Sequence, residues 1–106
     1  MIFHHITTPE QWAAQEAQDF YTADSLDTEG FIHCSFAEQV DKTLSLYFKG
    51  MEKIWLLTID SELLTSKLIV EASRDGELFP HIYGVLNKSA TRRGVGNLGK
   101  LFRKAV

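Results

Sequence analysis

Apolar and polar positions alternate in segments along this chain, and the period of each segment predicts an element. Residues 2–6 (Ile-Phe-His-His-Ile) read as a first strand. Thr8-Pro9-Glu10-Gln11 follows as a helix start: Thr8 can cap, Pro9 suits the first turn, and Gln11 can close a capping box. Trp12, Ala13, Ala17 and Phe20 then form a core-facing stripe on a helix running to about residue 18. Residues 19–29 are polar, rich in turn formers, and read as a long loop of the kind that often carries function. Phe31 to Cys34 read as a short second strand. Ser35-Phe36-Ala37-Glu38 reads as a capping box opening a helix. Val40, Leu44, Tyr47 and Phe48 fall at i, i+4, i+7 and i+8 on that helix, one apolar face, and Gly50 stops it.

The second half is strand-like. Ile54–Ile59 is a continuous apolar run, expected as a central strand covered on both faces. Ser61–Leu64 can make one helical turn. Leu68–Ala72 reads as another buried strand and residues 73–78 as a turn. Phe79–Gly84 reads as extended, because Pro80 sits badly inside a helix. Gly94, Gly96 and Gly99 weaken any helix before Leu101. The order β-α-β-α-β-β-β predicts an α+β fold: one small domain over residues 1–106, with a mixed, mostly antiparallel sheet and two early helices packed on it.

Within this frame, two histidine-bearing strings stand out. In Gly30-Phe31-Ile32-His33-Cys34-Ser35, strand alternation points Phe31, His33 and Ser35 one way and Ile32, Cys34 and Phe36 to the core. Cys34 then reads as a small buried hydrophobe rather than a nucleophile. His33 and Ser35 stand where a strand enters a helix, and free N–H groups there suit an anionic or polar ligand. The alternative is that Ser35 only caps the helix and His33 is structural. In Phe79-Pro80-His81-Ile82-Tyr83-Gly84, one face carries Phe79, His81 and Tyr83, suited to stacking a planar ring and donating hydrogen bonds. The alternative there is a packed aromatic ladder. Gly84 allows a close backbone approach or a positive φ.

Glu71, expected on a buried strand, needs a partner or a wet cleft. Arg74 is three residues on and could pair with it; otherwise the carboxylate could hold a ligand hydroxyl or act as a base. His4 and His5 lie on opposite faces of the first strand. His5 alternates with Phe3 and Thr7, which favours it for the cleft and leaves His4 with the core. The histidines have no paired spacing on one element, so no metal site is expected. Gly94-Val95-Gly96-Asn97-Leu98-Gly99 matches a dinucleotide-binding pattern but follows no clear strand, and reads as chance.

Composition narrows the partners. Apolar residues make up 44% and charged residues 24% of the 106, an ordinary globular balance. No apolar run approaches the roughly 18 residues of a membrane helix, and the start lacks signal-peptide character, so a cytoplasmic protein with no membrane partner is expected. All fourteen acids lie between Glu10 and Glu77. Val85 to Val106 holds six basic residues and no acid, hence +6; the preceding 84 residues hold five basic and fourteen acidic, hence −9. The acidic body makes nucleic acid an unlikely ligand. The basic segment 88–106 could dock an acidic partner, or simply pair with the body.

His5-Ile6-Thr7, Trp12, Leu26, Glu29 to Ser35, Gln39, Glu71 and Phe79 to Gly84 together resemble the bacterial family called domain of unknown function 952. The resemblance spans residues 3 to about 86 and implies a small α/β fold similar to the ADP-ribosyltransferase class, with no established activity. Many ADP-ribosyltransferases open with a His-Gly-Thr/Ser strand whose His contacts the nicotinamide ribose of NAD. His5-Ile6-Thr7 looks like a variant of it, with Ile6 where glycine is usual. The resemblance therefore implies NAD or a nucleotide-like group as substrate. His33, Glu71 and His81 are then the candidate catalytic residues, and His5, Ser35, Tyr83 and Arg74 the substrate-binding ones. A non-catalytic small-molecule binder and a protein-interaction module are the competing expectations.

Overall fold

The computed structural model describes residues 1–91 and the backbone of 100–103. The elements are β1 (Ile2–Thr7), α1 (Pro9–Ala14), β2 (Phe20–Tyr21), α2 (Asp24–Glu29), β3 (Ile32–His33), α3 (Val40–Tyr47), β4 (Lys53–Asp60), β5 (Lys67–Ala72), β6 (Leu78–Tyr83), β7 (Leu86–Asn87) and β8 (Lys100–Arg103). Short 3-10 turns at Ala37–Gln39, Ser61–Leu63 and Lys88–Ala90 join them. The sheets run β1-β4-β8, β2-β7 and β3-β6-β5. Every pairing among the described strands is antiparallel, so the sheet is not mixed, and three short helices replace the expected two. A bridge between His4 and Ser35 stitches the first sheet to the third, with reciprocal backbone bonds of 2.8 and 2.7 Å.

Apolar alternation explains the core. Phe3, Leu57, Ile59, Ile32, Ile82 and Leu86 are fully buried in one cluster, joined by Tyr21 from the segment expected to be loop. A smaller cluster holds Ile6, Ile54, Leu56 and Val40, with Leu44 and Phe48 packed on it. Removing each such side chain from water contributes about 1.5–3 kcal/mol. The central position of β4 matches its unbroken apolar run.

Several local expectations change. Thr8 caps α1, accepting from the Gln11 N–H at 3.1 Å, but the helix ends at Ala14 instead of about residue 18. Gln15 ends it: its amide donates to the Thr22 carbonyl and accepts from the Thr22 N–H, drawing the chain across the helix end. Phe20 therefore leaves the stripe and lies exposed in β2, while its neighbour Tyr21 is buried. Residues 19–29 hold β2 and α2 rather than a loop. α2 has acids in its first turn, and Gly30 stops it at φ +90°, a conformation that favours glycine. Leu26 alone is too weak an apolar signal to announce that helix.

Ser35 does not cap. The box shifts one residue, with the Phe36 N–H donating to the Gln39 amide oxygen at 2.9 Å, and α3 starts only at Val40. Tyr47 leaves the apolar face and is 76% exposed. β5 is an edge strand, not a buried one: it pairs only with β6 among the described strands, and Val70 is 42% exposed.

The basic segment is partly tied down. The Lys88 ammonium donates to the Gln15 carbonyl at 2.6 Å and sits 4.8 Å over the Trp12 ring. Lys100 and Arg103 lie in β8, opposite Leu56 and Lys53. Arg92, Arg93, Lys104 and the Gly94–Gly99 string lie outside the described residues. No helix among the described residues is long and apolar enough to cross a membrane.

Candidate functional site

The third sheet builds a cleft of about 990 Å³. Its register places His33 opposite His81, Ile69 opposite His81, and Glu71 opposite Phe79. With period two, the odd-numbered side chains of β5, β6 and the 31–33 segment share one face, and the cleft lies over that face. Pro80 and Ile82 point the other way, into the core.

Glu71 is the hub. Its Oε2 accepts from His81 Nδ1 at 2.7 Å and from the Tyr83 hydroxyl. These donors, Tyr83 first and His81 second, hold the carboxyl below its usual range, while the same bond to Glu71 pushes the Tyr83 phenol up. Glu71 therefore stays an anion and Tyr83 a neutral donor. A carboxylate whose Oε2 takes two donors is a weak base, so Glu71 orients its neighbours. Arg74, expected as its partner, makes no ion pair with it among the described residues; it lies exposed on the cleft rim.

The imidazole of His81 is only 4% exposed, and its two nitrogens differ. Nδ1 faces Glu71. Nε2 has no partner among the described residues, yet no buried side-chain nitrogen or oxygen there is left unsatisfied, so Nε2 opens to the cleft. Phe31 stacks on the ring at 4.0 Å and 18°, meets His33 edge-on at 4.8 Å and leans on Tyr83 at 5.3 Å. His33 stands at the mouth, half exposed, bonded through Nε2 to Glu29 at 2.9 Å.

The other expected residues do not all join this group. His5 is buried, with Nδ1 bonded to the His33 carbonyl at 2.6 Å and Nε2 to the Tyr21 hydroxyl at 2.9 Å. Burial lowers its pKa to about 4, more than the carbonyl bond raises it, so the ring is neutral. It supports the floor of the cleft and has no nitrogen to offer a ribose. Ser35 is buried, and its hydroxyl bonds to Thr43 at 3.1 Å, so it presents no helix N-terminus to an anion. Cys34 is sealed in the core, and burial pushes its thiol well up, as the alternation predicts for a non-nucleophile. His4 turns away from the cleft to Thr58. Among the described residues, no three His, Cys, Asp or Glu side chains gather as metal ligands.

Phe31 and Glu29 were missed as site residues. Alternation already places Phe31 with His33, so the signal for it was present. Glu29 reaches the His33 ring only because the Gly30 turn folds α2 back beside β3.

The family model described as "Protein of unknown function (DUF952)" matches residues 6–93. The chain belongs to that family. The crystal structure of protein CC0527 from Caulobacter crescentus is 30% identical, with a TM-score of 0.79 over 94% of each chain. The solution NMR structure of CC0527 is 31% identical, with a TM-score of 0.69 over 87% of this chain and 80% of that one. No curated protein matches. These likenesses tie the α+β fold to CC0527; they do not tie the DUF952 chain to the ADP-ribosyltransferases.

Proposed function

We propose that this DUF952 protein binds a small polar molecule with a planar ring in the cleft, and that His81 exchanges a proton with it or with a bound water. The Glu71–His81 pair carries this reading. A carboxylate on Nδ1 fixes the N–H there and leaves the Nε2 lone pair pointing at the cleft, the arrangement a general base needs. Glu71 acts as the positioning residue and His81 as the catalytic one. Phe31 and Tyr83 offer the ring its stacking surface, and His33 closes the mouth. Cys34 and Ser35 are both engaged in the interior, which favours proton transfer over a covalent intermediate on those side chains. NAD and nucleosides are the first ligands to test, since they combine a planar ring with hydroxyls. With His5 occupied, their contacts fall to His33, His81 and Tyr83, which is the form an ADP-ribosyltransferase-like reaction would take here.

A non-catalytic binder is the second reading. It is favoured by the Phe31 ring lying on His81, which makes the imidazole part of a stacking surface as well as a base. Histidine ring signals followed by NMR during titration with NAD, ADP-ribose and nucleosides test both. Shifts at His33 and His81 are expected with at least one of these ligands, with His5 unmoved. Silence at both would end the cleft reading. Consumption of a bound ligand over long incubation, lost in His81→Asn while binding persists, separates the enzyme from the binder.

A further inference from the structure

Resting on that reading of the cleft, we infer that its ligand is an organic cation: a planar ring bearing a positive nitrogen, rather than a phosphate ester. The cleft is lined by the carboxylates of Asp24, Glu29, Glu71, Asp75 and Glu77. Against these five stand two basic side chains, Lys42 and Arg74, leaving the lining at −3 with histidines neutral. Lys42 is already spent on Glu77, 3.1 Å away. Carboxylates thus flank the aromatic centre, with Glu29 beside His33 on one flank of Phe31 and Glu71 beside His81 and Tyr83 on the other.

Two physical effects favour a cation there. The faces of Phe31 and Tyr83 are electron-rich and attract a positive charge placed over them. The surrounding carboxylates add a field of the same sense, focused by the cleft walls. Little in the lining is built to hold a phosphate: Arg74 is the one lining cation without a carboxylate partner among the described residues, and it lies exposed on the rim. Ser35 is turned inward to Thr43, and no helix N-terminus opens beside it. His81 Nε2, which has no partner among the described residues, is a lone pair when its ring is neutral; it accepts from an N–H of the ligand and offers an anion nothing.

A matched pair of probes isolates charge from shape. The full chain is titrated with nicotinamide, which is neutral, and with 1-methylnicotinamide, the same ring carrying a positive charge. NMR reads the His33, His81 and Tyr83 signals, and nicotinamide mononucleotide supplies an arm bearing a phosphate. The cation should bind about tenfold more tightly than the neutral ring. Raising salt to about 1 M should shrink that ratio, since exposed charges are then screened within about 3 Å. Asp24→Asn with Asp75→Asn, which changes no residue of the His81 group, should shrink it as well. Equal binding of the two rings, or tighter binding of the mononucleotide, overturns the cation assignment and leaves the planar-ring reading intact. If no probe moves any of the three residues, both fall together.

Discussion

His5 and His81 are nearly equally buried, at 6% and 4% exposure, yet the molecule uses them in opposite ways. His5 is closed on both sides, by a backbone carbonyl and a phenol that is itself bonded to Thr7. His81 is closed on one side by a carboxylate and open on the other to the cleft. Burial alone therefore does not mark a functional histidine. What distinguishes the two is whether the second nitrogen ends in protein or in a cavity.

The largest effect should come from the closed region. Tyr21 fills the core beside Trp12 and His5 and is fully buried. Tyr21→Ala removes that volume and strands the His5 and Thr7 partners. A loss of about 3–5 kcal/mol is expected in urea unfolding, the range for emptying an aromatic core site. A loss under about 1 kcal/mol would show that the site collapses freely and that the His5–Tyr21–Thr7 group is not a structural unit.

Acid should separate the two histidines next. His5 has a folded pKa of about 4 against an ordinary 6.5, so the unfolded chain binds its proton first. Stability from this group is present in full above 6.5. It falls as pH drops through the window from 6.5 to 4, at up to about 1.4 kcal/mol per pH unit and about 3 kcal/mol in all. His5→Phe should lower stability at neutral pH by leaving the His33 carbonyl without its His5 partner and the Tyr21 hydroxyl with Thr7 alone, about 1–3 kcal/mol for a buried group. It should also flatten that acid limb. Stability curves at pH 7 and pH 5 for both chains check this; an unchanged limb in the variant would assign the acid loss elsewhere.

How far the sequence announces these two regions follows from the range of the interactions. Strand alternation is a property of the backbone, so it put Phe31 and His33 on one side of their segment, along with Ser35, put His81 and Tyr83 on one side of theirs, and put Cys34 in the core, without any knowledge of partners. The glycine at 84 was likewise legible as a close approach: at φ +148° an added Cβ would fall 2.5 Å from Ser66 Oγ. Alternation could not say what lies across that face. The fate of His5 depends on Tyr21, which arrives through a two-residue strand paired with Leu86, far along the chain. The choice of His81 and Tyr83 over Arg74 as partners of Glu71 depends on the β5–β6 register. Ser35 misled because its capping pattern is correct locally, while the bridge to His4 and the bond to Thr43 turn it inward.

The smallest effect on stability should fall at the open histidine, and it is the most informative. In Glu71→Gln the side chain keeps its size, and the site is partly wet, with Glu71 33% exposed. Both donors can still find the amide oxygen or water, so unfolding should move by less than about 1 kcal/mol. The imidazole, however, loses the charge that fixed its proton on Nδ1, and a gln side chain can present N–H instead of oxygen to that nitrogen. Nitrogen shifts of His81 should report a mixture of the two tautomers, where the parent protein reports the Nδ1–H form alone. His5, held by neighbours the substitution does not touch, should keep its spectrum. A stable variant with an altered His81 tautomer places Glu71 in a positioning role. A destabilised variant with the tautomer unchanged would make the Glu71 cluster another closed region, and the contrast with His5 would disappear.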